Sequence, residues 1–399
     1  MDDKLSVAVL VCLVFAILTA WIGEPWPSYC LYAIVFGIGV TWLLGRLLQP
    51  MPLRMSPLVW ILSAIVAWGM GQLLLGLTVN RWQTMNAVLF WLANTVLFFL
   101  SNQLFSNSVR RDRFLKRLLW LGLIVALTAV FQLFTAEGKI FWLFRTPYSG
   151  FIMGPFPYHN HFAAFVVLIL PIALNVSVRD RGRQLSYGLI VGALAAAVVA
   201  SASRSGAALV GLEIAAGLIM TFRRTAASLQ QRMGRIMVLI CLIAVSGTIA
   251  GWDVLWERFH HGDSVRLRLA ESSVEMVRSA PWIGSGLGTW PSAYPMYAHF
   301  DDGLFANQAH SDWLQWPAEG GIPFALALLG FGVAISIPAV RSIWAIGVPV
   351  VLIQCFIDYP LQKPAIAAVF FVLAGALAAQ RSPVRPRSPQ SDAAAVCRH

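Results

Sequence analysis

The sequence predicts an all-α integral membrane protein of about twelve transmembrane helices, with one large outer segment between the ninth and tenth. Three observations carry that prediction. The 399 residues are 58% hydrophobic and only 12% charged, about half the charge of an ordinary soluble domain. Apolar runs close to the ~20 residues that cross a hydrocarbon core recur along the chain. Lys and Arg also alternate between successive loops, as they do where a bilayer fixes helix orientation.

The runs, in order, are 5–22, 29–48, 57–78, 84–104, 117–135, 160–178, 185–202, 205–222, 236–251, 319–338, 343–358 and 364–380. The first follows an acidic MDD start and precedes many more runs, so it reads as a retained anchor rather than a cleaved secretory signal. The fifth follows the basic cluster Arg110–Arg117, and the sixth is fed by the Pro- and Gly-containing GPFPYHNHF. KIFWLFR, in the outer segment 136–158, reads as an interfacial helix with an aromatic belt. The seventh and eighth runs meet at SASRSG with almost no loop. Residues 252–318 form the long outer segment. Long loops are functional or disordered, and the Trp and Tyr residues at 252, 256, 282, 290, 294, 297, 313 and 316 favour order. Within it SVRLRLAESSVEMVRS, 264–279, can form an amphipathic helix, and PWIGSGLGTWP supplies a Gly-rich turn region. Residues 1–380 then form one transmembrane domain, and the Pro-, Ser- and Arg-rich 381–399 is expected to be a disordered cytoplasmic tail.

With both termini cytoplasmic, the inner loops hold 20 of the 29 basic residues and the outer segments hold 9: Arg81, Lys139, Arg145, Arg204, Arg258, Arg266, Arg268, Arg278 and Lys363. The net charge of +11 is therefore mostly an orientation device. Scattered over short loops, it builds no basic domain and argues against nucleic acid as a partner. Cys12, Cys30, Cys241, Cys355 and Cys397 have no metal-type spacing and read as small apolar residues.

Three outer-face constellations can carry chemistry. Arg204 sits in SASRSG, and an Arg at membrane depth is costly unless it is paired or reaches water. The alternative is a turn residue that snorkels to the interface. Arg266, Arg268 and Arg278 lie in or near the 264–279 helix, and forked guanidinium donors suit a diphosphate. The alternative is a solvated helix face, with Glu271 and Glu275 pairing one turn away. In NQAHSDWLQWPAEGG, His310 stands before the tenth run. A His near neutral pKa can take a proton from a sugar hydroxyl. If 310–319 is helical, Asp312, Gln315 and Glu319 share one face, with Pro317 kinking or restarting the helix. The alternative is a capping cluster at a helix start. Asn160 and His161, with His159, lead into the sixth run on the same face and can line the same cavity. His260, His261 and His299 read as surface residues, and no metal site is expected.

PYHNHFAAFVVLILPIAL, SRSG, the arginines followed by PWIGSGLGTW, and AHSDWLQWPAEGG, in this order over about 157–340, resemble the O-antigen ligase and polymerase superfamily of bacterial membrane glycosyltransferases. The resemblance implies a glycan donor carried on undecaprenyl diphosphate in the inner membrane, an active site facing the periplasm, and no metal or other cofactor. It carries the family's arginine after the seventh span onto Arg204. The periplasmic-loop arginine falls on Arg266, with Arg268 as competitor, and the histidine before the late span falls on His310. Arg268, Arg278, His161, Asn160, Asp312 and Glu319 would bind substrate. The ligases' glycine pattern after the histidine is only loosely met by Gly320, Gly321 and Gly330, so two expectations stand. One is a ligase with lipid A core as acceptor; the other is an O-antigen or exopolysaccharide polymerase with a lipid-linked glycan as acceptor. The compact outer segment argues against the longer protein-glycosylating relatives. A transporter would show paired repeats and ionisable residues at mid-membrane, and only Glu213 lies well inside a run.

Overall fold

The structure, a computed structural model, describes residues 1–50, 52–145, 152–224, 264–299, 303 and 305–380. Its described helices are α1 (Asp2–Leu18), α2 (Trp26–Leu48), α3 (Leu58–Leu74), α4 (Arg81–Leu104), α5 (Ser108–Thr135), α6 (His159–Arg179), α7 (Gln184–Ala200), α8 (Arg204–Arg224), α9 (Ser264–Ser279), the short α10 (Trp290–Ala293), α11 (Asp312–Ala339), α12 (Gly347–Gln354) and α13 (Pro364–Ala378). Helices occupy eleven of the twelve apolar runs. The ninth, 236–251, lies outside the described residues, as do His260, His261 and the tail 381–399.

Local chemistry sets the helix ends. Asp2 and Asp3 lie in the first turn of α1, at the positive end of its dipole. The Asn80 side chain caps α4 by accepting from Trp82 N and Gln83 N, and Asn107 caps α5 through Arg110 N. Among the described residues six helices are long and apolar enough to cross a membrane: Trp26–Leu48, Arg81–Leu104, Ser108–Thr135, His159–Arg179, Arg204–Thr221 and Asp312–Ala339. Leu58–Leu74, Gln184–Ala200, Ile343–Gln354 and Pro364–Ala378 are apolar but shorter. The shortfall is geometric, because a helix rises ~1.5 Å per residue and the hydrocarbon core is ~30 Å thick.

Helices α6 and α13 form the centre. Every side chain of α6 from His159 to Asn175 is buried, as is every one of α13 from Ala365 to Ala378. A helix apolar all round belongs in the interior. Small residues allow the closest crossings: a Cβ at Gly375 would strike Phe98 O of α4, and one at Gly347 would strike Val167 O of α6.

The segment 264–299 folds back on the bundle. α9 has the bounds read from the sequence. Its Leu269 and Met276 form a small core with Trp290, Tyr294, Ala309 and Ala318, and Trp290 Nε1 donates to Ser273 Oγ at 3.1 Å. The Gly-rich stretch docks where α11 breaks at Gly321, whose φ of 77° and ψ of 173° are not helical. A Cβ at Gly284 would strike the Glu319 carbonyl, and one at Gly321 would strike Trp282 O. Gln72 of α3 clamps the junction, donating to Ile283 O at 2.7 Å and to Glu319 O at 3.0 Å while accepting from Leu287 N. The kink expected at Pro317 thus falls instead at Gly321, where the backbone must admit a second chain.

One local expectation is overturned. KIFWLFR is not an interfacial helix but a small hairpin, β1 (Lys139–Ile140) against β2 (Phe144–Arg145). Phe141 and Trp142 turn it with φ of 49° and 62°. Gln132 Oε1 accepts from Phe141 N, Trp142 Nε1 donates to Thr135 Oγ1, and Phe144 stacks on Trp21. Aromatic anchoring to neighbouring elements replaces the helical repeat.

Candidate active site

His310 turns the chain just before α11. Its φ of 54° lies in the left-handed region, which His adopts more readily than most residues although it remains uncommon. The helix therefore starts at Asp312, after His310, with Ser311 as N-cap. Hydrogen bonds stitch this start to the segment after α12, among them Ser311 Oγ to Cys355 O at 3.2 Å, Asp312 N to Asp358 O at 3.1 Å, and Leu361 N to Asp312 Oδ2 at 3.1 Å.

Asp312, Gln315 and Glu319 do share one face of α11, and all three are buried. The structure gives the two acids a framework duty rather than an open binding surface. Asp312 takes the Leu361 amide. Glu319 takes Gly288 N at 2.8 Å, Trp290 N at 3.2 Å and Gln315 Nε2 at 2.9 Å. Gln315 Oε1 in turn accepts from Ala309 N at 3.1 Å, one residue before His310. Buried carboxylates need such donors to offset lost hydration.

The half-buried His310 ring stands between two tyrosines. Its centroid is 5.0 Å from Tyr359 and 6.4 Å from Tyr158, edge-on to each. The Tyr158 hydroxyl accepts from Arg266 Nη2 at 2.9 Å and from Asn160 Nδ2 at 3.4 Å. Arg266 Nη1 also reaches Ile357 O at 3.4 Å. Asn160 Oδ1 accepts from Ser203 Oγ at 2.7 Å, and Asn160 O accepts from Gln354 Nε2. Ser203 immediately precedes Arg204, the first residue of α8. Its hydroxyl also accepts from Gly206 N at 3.1 Å, and Ala202 takes a φ of 52°. A Cβ at Gly206 would strike Ala163 Cβ, so SASRSG presses against α6. His161 meets Tyr359 edge-on at 4.9 Å, and Lys363 Nζ lies 5.0 Å from the same ring's centroid.

The structure therefore joins His310, Arg266, Asn160 and His161, and brings the Arg204 turn against them through Ser203. It separates the remaining arginines. Arg268 is exposed on α9. Arg278 lies in the last turn of α9, ~18 Å along the helix from Arg266 at 1.5 Å per residue, and is also exposed. His299 pairs with Glu275 at the surface. Among the described residues no cluster of three or more His, Cys, Asp and Glu side chains has the arrangement to hold a metal ion.

Tyr158, Ser203, Asp358, Tyr359 and Lys363 complete the cluster and were not singled out from sequence. DYPLQK, residues 358–363, held the usable signal: a charge pair around an aromatic in a short outer-side connection. Burial raises Asp358 from 3.8 to about 6, opposed by the Tyr359 amide, Arg266, Asn160 and Lys363. Burial also lowers Lys363, opposed by Asp358 and Asp312. The arrangement offers cations for a charged group, a histidine for proton transfer, and aromatic faces for a sugar.

No curated protein matches the chain. The family model described as O-antigen ligase matches residues 189–329, which hold the Arg204 turn, the Arg266 helix, the Gly-rich strap and His310. Over that stretch, about a third of the 399 residues, the chain is similar to the O-antigen ligase family.

Proposed function

We propose that this protein is an O-antigen ligase-type glycosyltransferase that moves a glycan from undecaprenyl diphosphate to lipid A core in lipopolysaccharide synthesis. The family match supports ligase- or polymerase-type activity on lipid-linked glycans in a multi-pass membrane protein. The observation that carries the finer reading is His310 held between Tyr158 and Tyr359, with Arg266 on the Tyr158 hydroxyl and the Arg204 turn tied in through Ser203 and Asn160.

The acceptor hydroxyl oxygen attacks the anomeric carbon of the donor sugar. The bond from that carbon to the diphosphate oxygen breaks, and the diphosphate leaves with the electron pair. Arg204 and Arg266 stabilise the negative charge that grows on its oxygens, because fixed guanidinium groups need no reorganisation as the charge develops. The hydroxyl proton passes to the His310 imidazole, and direct attack inverts the linkage. The residues of the cluster come from the loops that the Lys and Arg alternation assigns to one side. This supports an inner-membrane protein with the site facing the periplasm, both termini cytoplasmic, and the polyprenyl chain lying between helices among the membrane lipids.

The test uses purified protein, undecaprenyl-diphosphate-linked glycan and lipid A core, with His310→Ala in parallel and products resolved by gel and mass. Glycan joined to the core by wild type alone is expected. Longer lipid-linked glycan with the core untouched would make the protein a polymerase. Full activity in His310→Ala would remove the general base.

A further inference from the structure

Lys363 occupies an unfavourable position for a cation. It is the N-cap residue of α13, at the positive end of the helix dipole, where a cation is disfavoured. Among the described residues no carboxylate lies within ion-pairing distance of its ammonium group; its contact is the Tyr359 ring. Asp358 and Asp312 act on it only from farther away.

The same ring gathers two imidazoles. His310 and His161 both meet it edge-on, at 5.0 and 4.9 Å. His161 is 4% exposed, and its Nε2 is buried without a hydrogen-bond partner. A buried ring nitrogen left unpaired costs stability unless something completes it. An ammonium group and an unpaired ring nitrogen on one aromatic ring suit an anionic oxygen. His310 thus stands between two tyrosines, each carrying a cation: Arg266 on the Tyr158 hydroxyl, Lys363 on the Tyr359 face.

We infer that Lys363, with His161 beside it, forms a second anion-binding subsite of the active site, distinct from that of Arg204 and Arg266, which takes a phosphate or carboxylate oxygen of a substrate. The inference rests on the proposed transfer reaction and deepens it. Two substrates can supply the oxygen. If the donor diphosphate supplies it, the diphosphate spans both cations. If the acceptor supplies it, the acceptor is an acidic or phosphorylated saccharide whose charged group lies close to the attacking hydroxyl. The connection carrying Tyr359 is stitched to the start of α11 by hydrogen bonds, so Lys363 keeps its register with His310.

The experiment measures binding of undecaprenyl diphosphate and, separately, of lipid A core with its phosphates intact. The proteins are wild type, Lys363→Gln and Lys363→Arg in nanodiscs, each with its melting temperature. Lys363→Gln is expected to weaken one probe about tenfold, as loss of a charge-assisted hydrogen bond does, while Lys363→Arg retains most of the affinity. Weakening of the diphosphate assigns the subsite to the donor; weakening of the core assigns it to the acceptor. If wild type binds its substrates and Lys363→Gln binds both equally well, the subsite is wrong and the transfer reaction stands. A fall in affinity and melting temperature that Lys363→Arg does not rescue marks a structural lysine and also overturns it. If wild type binds neither probe, the proposed reaction fails and the subsite falls with it.

Discussion

The two ends of the bundle spend charge in opposite ways. At one end Asp2 pairs with Arg46 at 2.9 Å and Arg110 at 3.3 Å, and Asp3 pairs with Arg110 at 2.8 Å. Both of these arginines have a carboxylate, and water reaches each pair. At the other end Arg266 bonds a phenol and a carbonyl, Lys363 faces an aromatic ring, and the buried Asp312 and Glu319 accept from backbone amides. The first arrangement neutralises charge; in the proposed reaction the second serves a charged substrate. An end that only had to orient helices would have no reason to bury its charges, because desolvation costs more than a surface pair returns.

Breaking the second end should be felt mainly in rate. His310→Ala is expected to lower kcat about 10²- to 10⁴-fold, the usual share of a general base, with the melting temperature little changed. Arg266→Ala follows at about 10²- to 10³-fold if it faces charge developing in the transition state. Arg266→Lys should recover little, since the fork that reaches both Tyr158 and Ile357 is lost. Arg278→Ala, at the far end of α9, sharpens the contrast by leaving transfer unchanged. Single-turnover assays on the purified variants measure all four.

The framework of that end should be felt in stability. Glu319→Ala leaves Gly288 N, Trp290 N and Gln315 Nε2 without their acceptor. Each buried orphan costs about 1–3 kcal/mol, so a loss of ~3 kcal/mol is expected in chemical unfolding in detergent. The Gly-rich strap should become open to protease. Asp358 predicts a pH dependence. Its pKa of about 6 lies above its ordinary 3.8, so the folded state holds a proton that the unfolded state has released between those values. Its contribution therefore favours folding below about 4 and declines as pH rises to about 6. Asp358→Asn should flatten that slope in melting temperature against pH. A slope unchanged in the variant would show that another group titrates there.

Much of this contrast was legible in the sequence, and the limits have physical causes. Long apolar runs locate helices because a bilayer admits little else, and eleven runs carry one. Arg266 and His310 stood out because charge and imidazole are rare in such a chain. Asp312 and Glu319 stood out for the same reason, but sequence cannot say whether a carboxylate faces a cavity or a backbone amide. KIFWLFR failed because its aromatic content fits a helix and a hairpin equally well, and the Gln132 and Thr135 side chains of α5 decide between them. Tyr158 and Tyr359 were hidden among other aromatics at helix ends, and only the fold shows that both touch His310.

The smallest effect is expected at the ion-paired end, and it is the sharpest check on the comparison. Asp2 accepts from both Arg46 and Arg110, yet its side chain keeps 20% exposure and theirs 13% and 19%. Water and salt compete at that depth, and exposed pairs return about 0–1 kcal/mol. Asp2→Asn should therefore shift unfolding by about 0.5 kcal/mol in low salt and by less as ionic strength shortens the Debye length. Transfer activity should not change. A large loss of transfer would mean that the two ends are coupled, and that the paired end does more than orient helices. A small, salt-screened change in stability alone would leave the division intact, with charge balanced where water reaches it and kept ready for a ligand where it does not.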